Sequence, residues 1–451
     1  MDELIQGLEN QFNWQSEYKS PNDNRWIPRD HFYVHNIEDP VTGVSIDIFN
    51  VDTNDADIYG ASQICCHGAV ILALMGISSC ATVTLGLTAT LTSDPASAQY
   101  TLSAFATGDW GATTYKGSCC GSKYNNYDLN AQEVVATLMN IEAGTSMKPN
   151  VFLGHGDSFY WNGINGLTER DARFAASFEA NTEELFQGLA NKLKWQADYT
   201  SPNDDRWHMD DHFYVYRVED PASGVSVDIF NVETNDADIH GADLICCQCY
   251  GYAKADNSGC NTVTRDDKYC FGGNTNMFDT CMAKFAEWGN DSRTQLLEQV
   301  KRSTATWKIV NSHFSPYDHF REAGMNKWFD VLRQSGVRVF LHGHTHAEKH
   351  DYSESLGVHF VENGAGGGRQ KGVASTIQPY AAKYVKNEWA YTADEYGFFS
   401  LQASKEWLKL QYHTTDNNWN FTENFADTTI GGVATKHCWY IPADGSEGKA
   451  C

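Results

Sequence analysis

The chain has 451 residues, 41% of them hydrophobic, and a formal charge of -25 at neutral pH. That length holds two or three average domains, or one large α/β domain with additions. So acidic a chain argues against nucleic acid or an anionic membrane as partner, yet leaves room for a phosphorylated substrate, because bound metal charge can dominate a cleft.

Residues 1–66 repeat residues 182–247 at a fixed offset, with about two-thirds of positions identical. Ser20-Pro21-Asn22-Asp23 matches Ser201-Pro202-Asn203-Asp204, and Ile64-Cys65-Cys66 matches Ile245-Cys246-Cys247. One copy is too few for a solenoid. The segment is too short to bury a core alone, so 1–66 reads as a partial N-terminal duplicate and not an independent domain. Residues 67–99 follow as a signal-like or linker segment. Within it, 69–91 is mostly apolar and is followed by Ala96-Ser97-Ala98, a small-x-small cleavage pattern. No Lys or Arg occurs between Arg29 and Lys116. An embedded secretory signal, a membrane span and a buried linker all remain open for this stretch; without the span, a membrane partner is not expected.

From residue 100 onward, apolar runs alternate with helical patterns. Leu102–Ala106 reads as a strand entering Gly108-Asp109, and Asn130–Ile141 as a helix with Val134, Val135, Leu138 and Met139 on one face. Asn150–Leu153 is a strand entering Gly156-Asp157, and Thr168 to about Leu193 a helix. Strands are expected at 213–218, 225–232, 307–310, 337–341 and 358–361, helices at 292–303 and 325–335, and a hairpin at 396–412. This alternation predicts an α/β (α+β) fold over residues 100–415, with ligands gathered at strand carboxyl ends and 416–451 left as a C-terminal tail.

Thirteen cysteines are present, and Cys246, Cys247, Cys249, Cys260, Cys270 and Cys281 crowd one stretch poor in large apolar residues. Their spacing forms no paired Cys-x-x-Cys knuckles, so disulfides in an oxidising compartment are favoured over zinc. Two sequons, Asn290-Asp291-Ser292 and Asn420-Phe421-Thr422, agree with a secreted glycoprotein.

Four motifs carry chemistry: Gly108-Asp109-Trp110-Gly111, Gly156-Asp157-Ser158-Phe159-Tyr160, Asn311-Ser312-His313-Phe314-Ser315-Pro316 and Gly343-His344-Thr345-His346. Each follows a strand. Aspartate, tyrosine and histidine at strand ends suit a pair of hard-to-borderline metal ions, a device for hydrolysing phosphate esters.

On these motifs the chain resembles the calcineurin-like metallophosphoesterases, and through Tyr160 their purple, or tartrate-resistant type, acid phosphatase branch. The resemblance covers residues 100 to about 415. It implies a sandwich of two mixed β-sheets flanked by helices. It also implies a binuclear metal centre of Fe(III) plus Fe(II), Zn(II) or Mn(II). Asp109, Asp157, Tyr160 and His346 would bind the ferric ion. Asp157 would bridge to the second metal, shared with His313 and His344. His319 would meet the phosphate of a small phosphorylated substrate, and Gly364–Gly368 would form a rim loop or else a flexible turn. The implied activity is phosphate monoester hydrolysis.

The family also carries a Gly-Asn-His-(Asp/Glu) motif that supplies an asparagine ligand and a histidine acid. This chain contains no Asn-His dipeptide. The gap points to a deletion between about residues 180 and 184 that removes a strand and its loop. The expectation is an intact ferric half-site and a weakened second half-site. Ser158 stands where the family has asparagine, and His155 is expected in the core or at the rim. The alternative is a non-catalytic metal-binding or interaction protein on the same scaffold.

Overall fold

A computed structural model describes residues 91, 93–110, 130–158, 208–247, 263–367, 374, 376–419 and 429–451, with the backbone of strands at 32–38 and 45–51. The chain divides into two units, residues 1–86 and 87–451. In the first, β1 (Phe32–Glu38) and β2 (Ser45–Val51) pair antiparallel, from Phe32 opposite Val51 to Glu38 opposite Ser45.

The second unit runs β3 (Leu102–Thr107), α1 (Ala131–Ala143), β4 (Val151–Gly154), β5 (Phe213–Asp220), β6 (Val225–Val232), α2 (Ala242–Cys246) and α3 (Thr275–Arg302). It continues with β7 (Trp307–Asn311), α4 (Glu322–Ser335), β8 (Val339–His342), β9 (Glu348–Ser353), β10 (Val358–Asn363) and β11 (Lys386–Ala390). It closes with β12 (Phe398–Ala403), β13 (Trp407–Thr415), β14 (Val433–Pro442) and β15 (Lys449–Ala450). β5 and β6 pair from Phe213 opposite Val232 to Glu219 opposite Ser226, so the repeated sequence makes the same hairpin register in both units.

Two mixed sheets form. One has the order β11-β9-β10-β8-β7-β6-β5, and the other β15-β14-β13-β12-β3-β4. In the first, β6, β7, β8 and β10 are parallel; in the second, β3 and β4 are. The sheets face each other across a core containing Leu102, Leu153, Ile229, Trp307, Ile309, Leu341, Val361 and Leu401. The helices α3 and α4 cover the outer face of the first sheet through Phe285, Trp288, Trp328 and Phe329. α1 covers the second through Val134, Val135 and Leu138 against Phe105 and Phe398. The fold is thus α+β, two mixed sheets between helical layers. Strands covered on both sides are buried along their whole length, as β8 and β10 show.

Three differences from the sequence expectation have physical causes. α3 begins at Thr275, well before 292, because the Asn274 side chain accepts the Met277 amide and caps it. The disulfide Cys246–Cys281 then ties its second turn to α2, and Cys247–Cys270 ties down the segment that leads into it. Phe278, Met282, Phe285 and Trp288 pack that first half against the core. β9 was not expected: Glu348-Lys349-His350-Asp351-Tyr352-Ser353 has no hydrophobic alternation, yet all six residues are buried. It is held by ion pairs and pairing with β10 and β11 in place of apolar contacts. Third, residues 433–451 are no tail. β14 pairs with β13 over its length, and Cys438–Cys451 closes the end.

The expected helix at 168–193, the junction at 180–184, the apolar run through residue 90 and the sequon at Asn420 lie outside the described residues. Asn290 is exposed on α3. Among the described residues no helix is long and apolar enough to cross a membrane.

Candidate metal centre

The loops leaving β3, β4, β7, β8 and β10 meet at the carboxyl ends of these strands, where open α/β sheets hold ligands. Backbone hydrogen bonds lash them together: Gly108 N donates to Asn363 O at 2.8 Å, Asp109 N to Gly156 O at 3.2 Å, and Gly343 N to His313 O at 3.0 Å. The two sheets therefore deliver their side chains to one place.

Two donor sets result. Asp157, His313 and His344 present ligand atoms all within 4.8 Å of one another, and so do Asp109, Asp157 and His346. Asp157 belongs to both. Tyr160 lies outside the described residues. The structure thus brings together five of the six residues expected to bind metal.

The backbone is bent to achieve this. Asp109, Asp157 and His344 have φ of 54°, 47° and 73°, three of the five non-glycine residues with positive φ among the described ones. Such conformations persist where surrounding structure enforces them, and they concentrate at functional sites. Close approach also demands glycine. A Cβ at Gly343 would stand 2.3 Å from Asp109 Oδ2. At Gly366 it would stand 2.5 Å from Gly108 O, so this part of the glycine run is a packing requirement rather than a flexible turn.

Hydrogen bonds aim each group. Asp109 is 1% exposed; its Oδ2 accepts the His344 amide at 2.7 Å, and its Oδ1 lies 3.2 Å from His346 Nε2. Burial alone would raise this carboxyl, but the facing imidazoles of His313, His346 and His344 hold it well below the usual range. His313 Nδ1 donates to the His155 carbonyl at 2.8 Å, which leaves Nε2 facing Asp157 Oδ1 at 3.5 Å. A backbone carbonyl on the far nitrogen is the usual way a metal-binding histidine is oriented. Burial works to lower His313, and Asp157 and Asp109 outweigh it, raising its pKa.

His155 itself is a core residue. It is 1% exposed, shares a 2.5 Å hydrogen bond with Asn311 Oδ1, and burial pushes it down to about 4. Its carbonyl, not its ring, serves the centre. His319 accepts the Ser315 amide on Nδ1 at 3.0 Å, and its Nε2 meets Thr345 Oγ1 at 2.9 Å. Its ring lies 5.0 Å from that of His344, and burial lowers its pKa.

The donor set fits a pair of metal ions. Three imidazoles and two carboxylates are borderline-to-hard ligands, and the shared Asp157 suits a bridge. Beside the Asp157–His313–His344 set opens a cleft of about 790 Å³, lined among others by Trp110, Phe152, Tyr214, His212 and Glu233. It borders β4, the edge of its sheet among the described residues. His212 sits between Asp211 Oδ1 at 2.8 Å and Asp291 Oδ2 at 2.6 Å, and burial raises Glu233. Sequence reasoning singled out neither group: Asp291 is 79 residues from His212, and Glu233 stands in no motif.

No protein-family model matches the chain, and no curated protein does. Solved structures similar to it include GAP50, the anchor in the inner membrane complex of Plasmodium, at 12% identity and a TM-score of 0.44, covering 75% of this chain and 89% of that one. Purple acid phosphatase PPD1 from yellow lupin (Lupinus luteus) seeds is 15% identical with a TM-score of 0.38, over 75% of this chain and 54% of that one. PhoD is 10% identical with a TM-score of 0.41, over 78% and 72%. Likeness at this level carries no argument about activity, which is read from the site.

Proposed function

We propose that this chain is a secreted acid phosphatase that hydrolyses small phosphate monoesters at a binuclear centre of Fe(III) with Fe(II), Zn(II) or Mn(II). The observation that carries the reading is the single carboxylate, Asp157, shared by two donor triads at the carboxyl ends of parallel strands. When bound, the metal pair neutralises phosphoryl charge and lowers the pKa of water.

The residues divide the remaining work. Asp109 and His346, with Tyr160 as a tyrosinate, would hold one ion; His313 and His344 would hold the other; Asp157 would serve both. His319 would donate a hydrogen bond from Nε2 to a phosphoryl oxygen; the Ser315 amide on its Nδ1 supports a ring proton on Nε2. The three disulfides among the described residues support an oxidising, extracellular setting.

Turnover of para-nitrophenyl phosphate at pH 5 with iron and zinc supplied tests the reading, alongside a diester substrate. Monoester turnover and a visible tyrosinate–iron absorption band support it. Two bound metals without turnover favour the second reading, a non-catalytic metal-binding protein. One observation speaks for that reading: with no Asn-His pair in the chain, the second triad lacks both the family's fourth ligand and its acid. Loss of a general acid typically costs about 10²–10⁴ in rate.

A further inference from the structure

Directly beneath the 343–346 loop lies a closed circuit of polar side chains. Lys349, 2% exposed, places Nζ 3.0 Å from Asp318 Oδ2, 3.1 Å from Asp351 Oδ2 and 3.6 Å from Glu362 Oε2. Asp318 accepts the Ser315 hydroxyl, and the Ser315 amide donates to His319 Nδ1. His319 Nε2 meets the Thr345 hydroxyl, which is hydrogen-bonded to the Glu362 carboxyl. Glu362 returns the circuit to Lys349.

The circuit joins four segments of chain: the loop after β7, the loop after β8, and the strands β9 and β10. It is an expensive arrangement. A buried ion-pair network is often no more stabilising than well-packed apolar side chains of similar volume, so stability alone does not explain it. Its direction is defined. An amide can only donate, so Nδ1 of His319 is an acceptor and a neutral ring carries its proton on Nε2. Thr345 accepts that hydrogen bond and donates its own hydroxyl hydrogen bond to the Glu362 carboxyl. His319, whose ring lies 5.0 Å from that of His344, is thereby set as a donor.

We propose that Thr345 and Lys349 are positioning residues: the Thr345 hydroxyl, held by Glu362 and Lys349, fixes His319 as the Nε2–H tautomer and keeps that N–H on the loop bearing His344 and His346 until a phosphoryl oxygen takes the place of Thr345 as its acceptor. The proposal rests on the phosphatase reading for its ligand, but not for its geometry.

The full-length chain, labelled with ¹⁵N-histidine and supplied with zinc, gives the test by NMR. The His319 ring is assigned by its loss in His319→Gln. The expected result is a proton on Nε2 and an acceptor Nδ1, with the ring signals shifting on titration with inorganic phosphate. Thr345→Val keeps the shape and removes the hydroxyl; His319 should then lose its single tautomer, and phosphate binding should weaken about tenfold. Thr345→Ser should restore both. A proton on Nδ1 in the unaltered chain overturns the proposal, and so does Thr345→Val leaving tautomer and phosphate binding unchanged. Should Thr345→Val fail to fold, the tautomer of the unaltered chain still decides. A fixed Nε2–H tautomer in a protein without turnover leaves this inference standing and removes the phosphatase.

Discussion

Two clusters of three histidines, one in the loops after β7 and β8 and the other on β9, β10 and β14, are built in opposite ways. In the first, His313 and His346 turn Nε2 toward the carboxylates of Asp157 and Asp109, 3.5 and 3.2 Å away, with His344 beside them. In the second, the imidazoles hold one another. His350 Nε2 meets His359 Nδ1 at 2.9 Å, His350 Nδ1 meets His437 Nε2 at 3.1 Å, and His359 Nε2 meets the Ser446 carbonyl at 3.4 Å. A carbonyl only accepts, so each ring of this chain is a neutral Nε2–H donor. His437 also stacks on Trp389, with ring centres 4.5 Å apart. The difference teaches that a count of histidines does not define a site. What the second ring nitrogen faces decides whether the first can take a metal.

The comparison breaks most visibly in metal binding. Asp157→Asn should lower affinity for both ions by about 10²-fold or more, since even residues behind the ligands are worth 10–100-fold. His350→Asn should leave metal affinity unchanged. Isothermal titration with zinc checks both, and equal losses would erase the distinction between the clusters.

Stability should divide the other way. His350→Ala leaves two buried ring nitrogens without their partner and a cavity between the sheets, costing about 2–4 kcal/mol. His313→Ala, nearer the surface, should cost less than half of that. Denaturant unfolding without added metal measures the pair.

Acid sharpens the contrast further. Burial holds His359 down to about 3 and His437 down to about 4, against an ordinary value near 6.5. Both are neutral when folded and gain protons on unfolding, so the stability they allow is full above pH ~6.5 and falls as pH drops toward ~4. Each such imidazole contributes a slope of up to about 1.4 kcal/mol per pH unit in that window. His437→Phe, which keeps a ring against Trp389, should remove one share of the slope. Thermal melts from pH 7 to 4.5 report it; an unchanged slope contradicts the assignment.

Sequence reasoning reached the first cluster because its signal is local. Gly343-His344-Thr345-His346 directly follows the apolar strand β8, and Gly108-Asp109 and Gly156-Asp157 follow β3 and β4. Glycine next to a ligand marks the tight turn and the close approach seen at Gly343. The second cluster has no such signature: His350 and His359 are on neighbouring strands and His437 is on the other sheet. β9 escaped for the same reason. None of its six residues is aliphatic, and partners from elsewhere in the chain, among them Asp318, Glu362, Tyr317, Asn387 and Tyr412, make their burial tolerable. His155 was expected in the core or at the rim and is in the core, but the use of its carbonyl to orient His313 is a property of the folded backbone.

The central claim is that Asp157 joins two half-sites into one binuclear centre. Elemental analysis of the full-length protein after supply of iron and zinc tests it most directly. The account predicts two metal ions per chain in the unaltered protein and loss of both in Asp157→Asn. A chain that retains no metal, or an Asp157→Asn variant that keeps two ions, would contradict it.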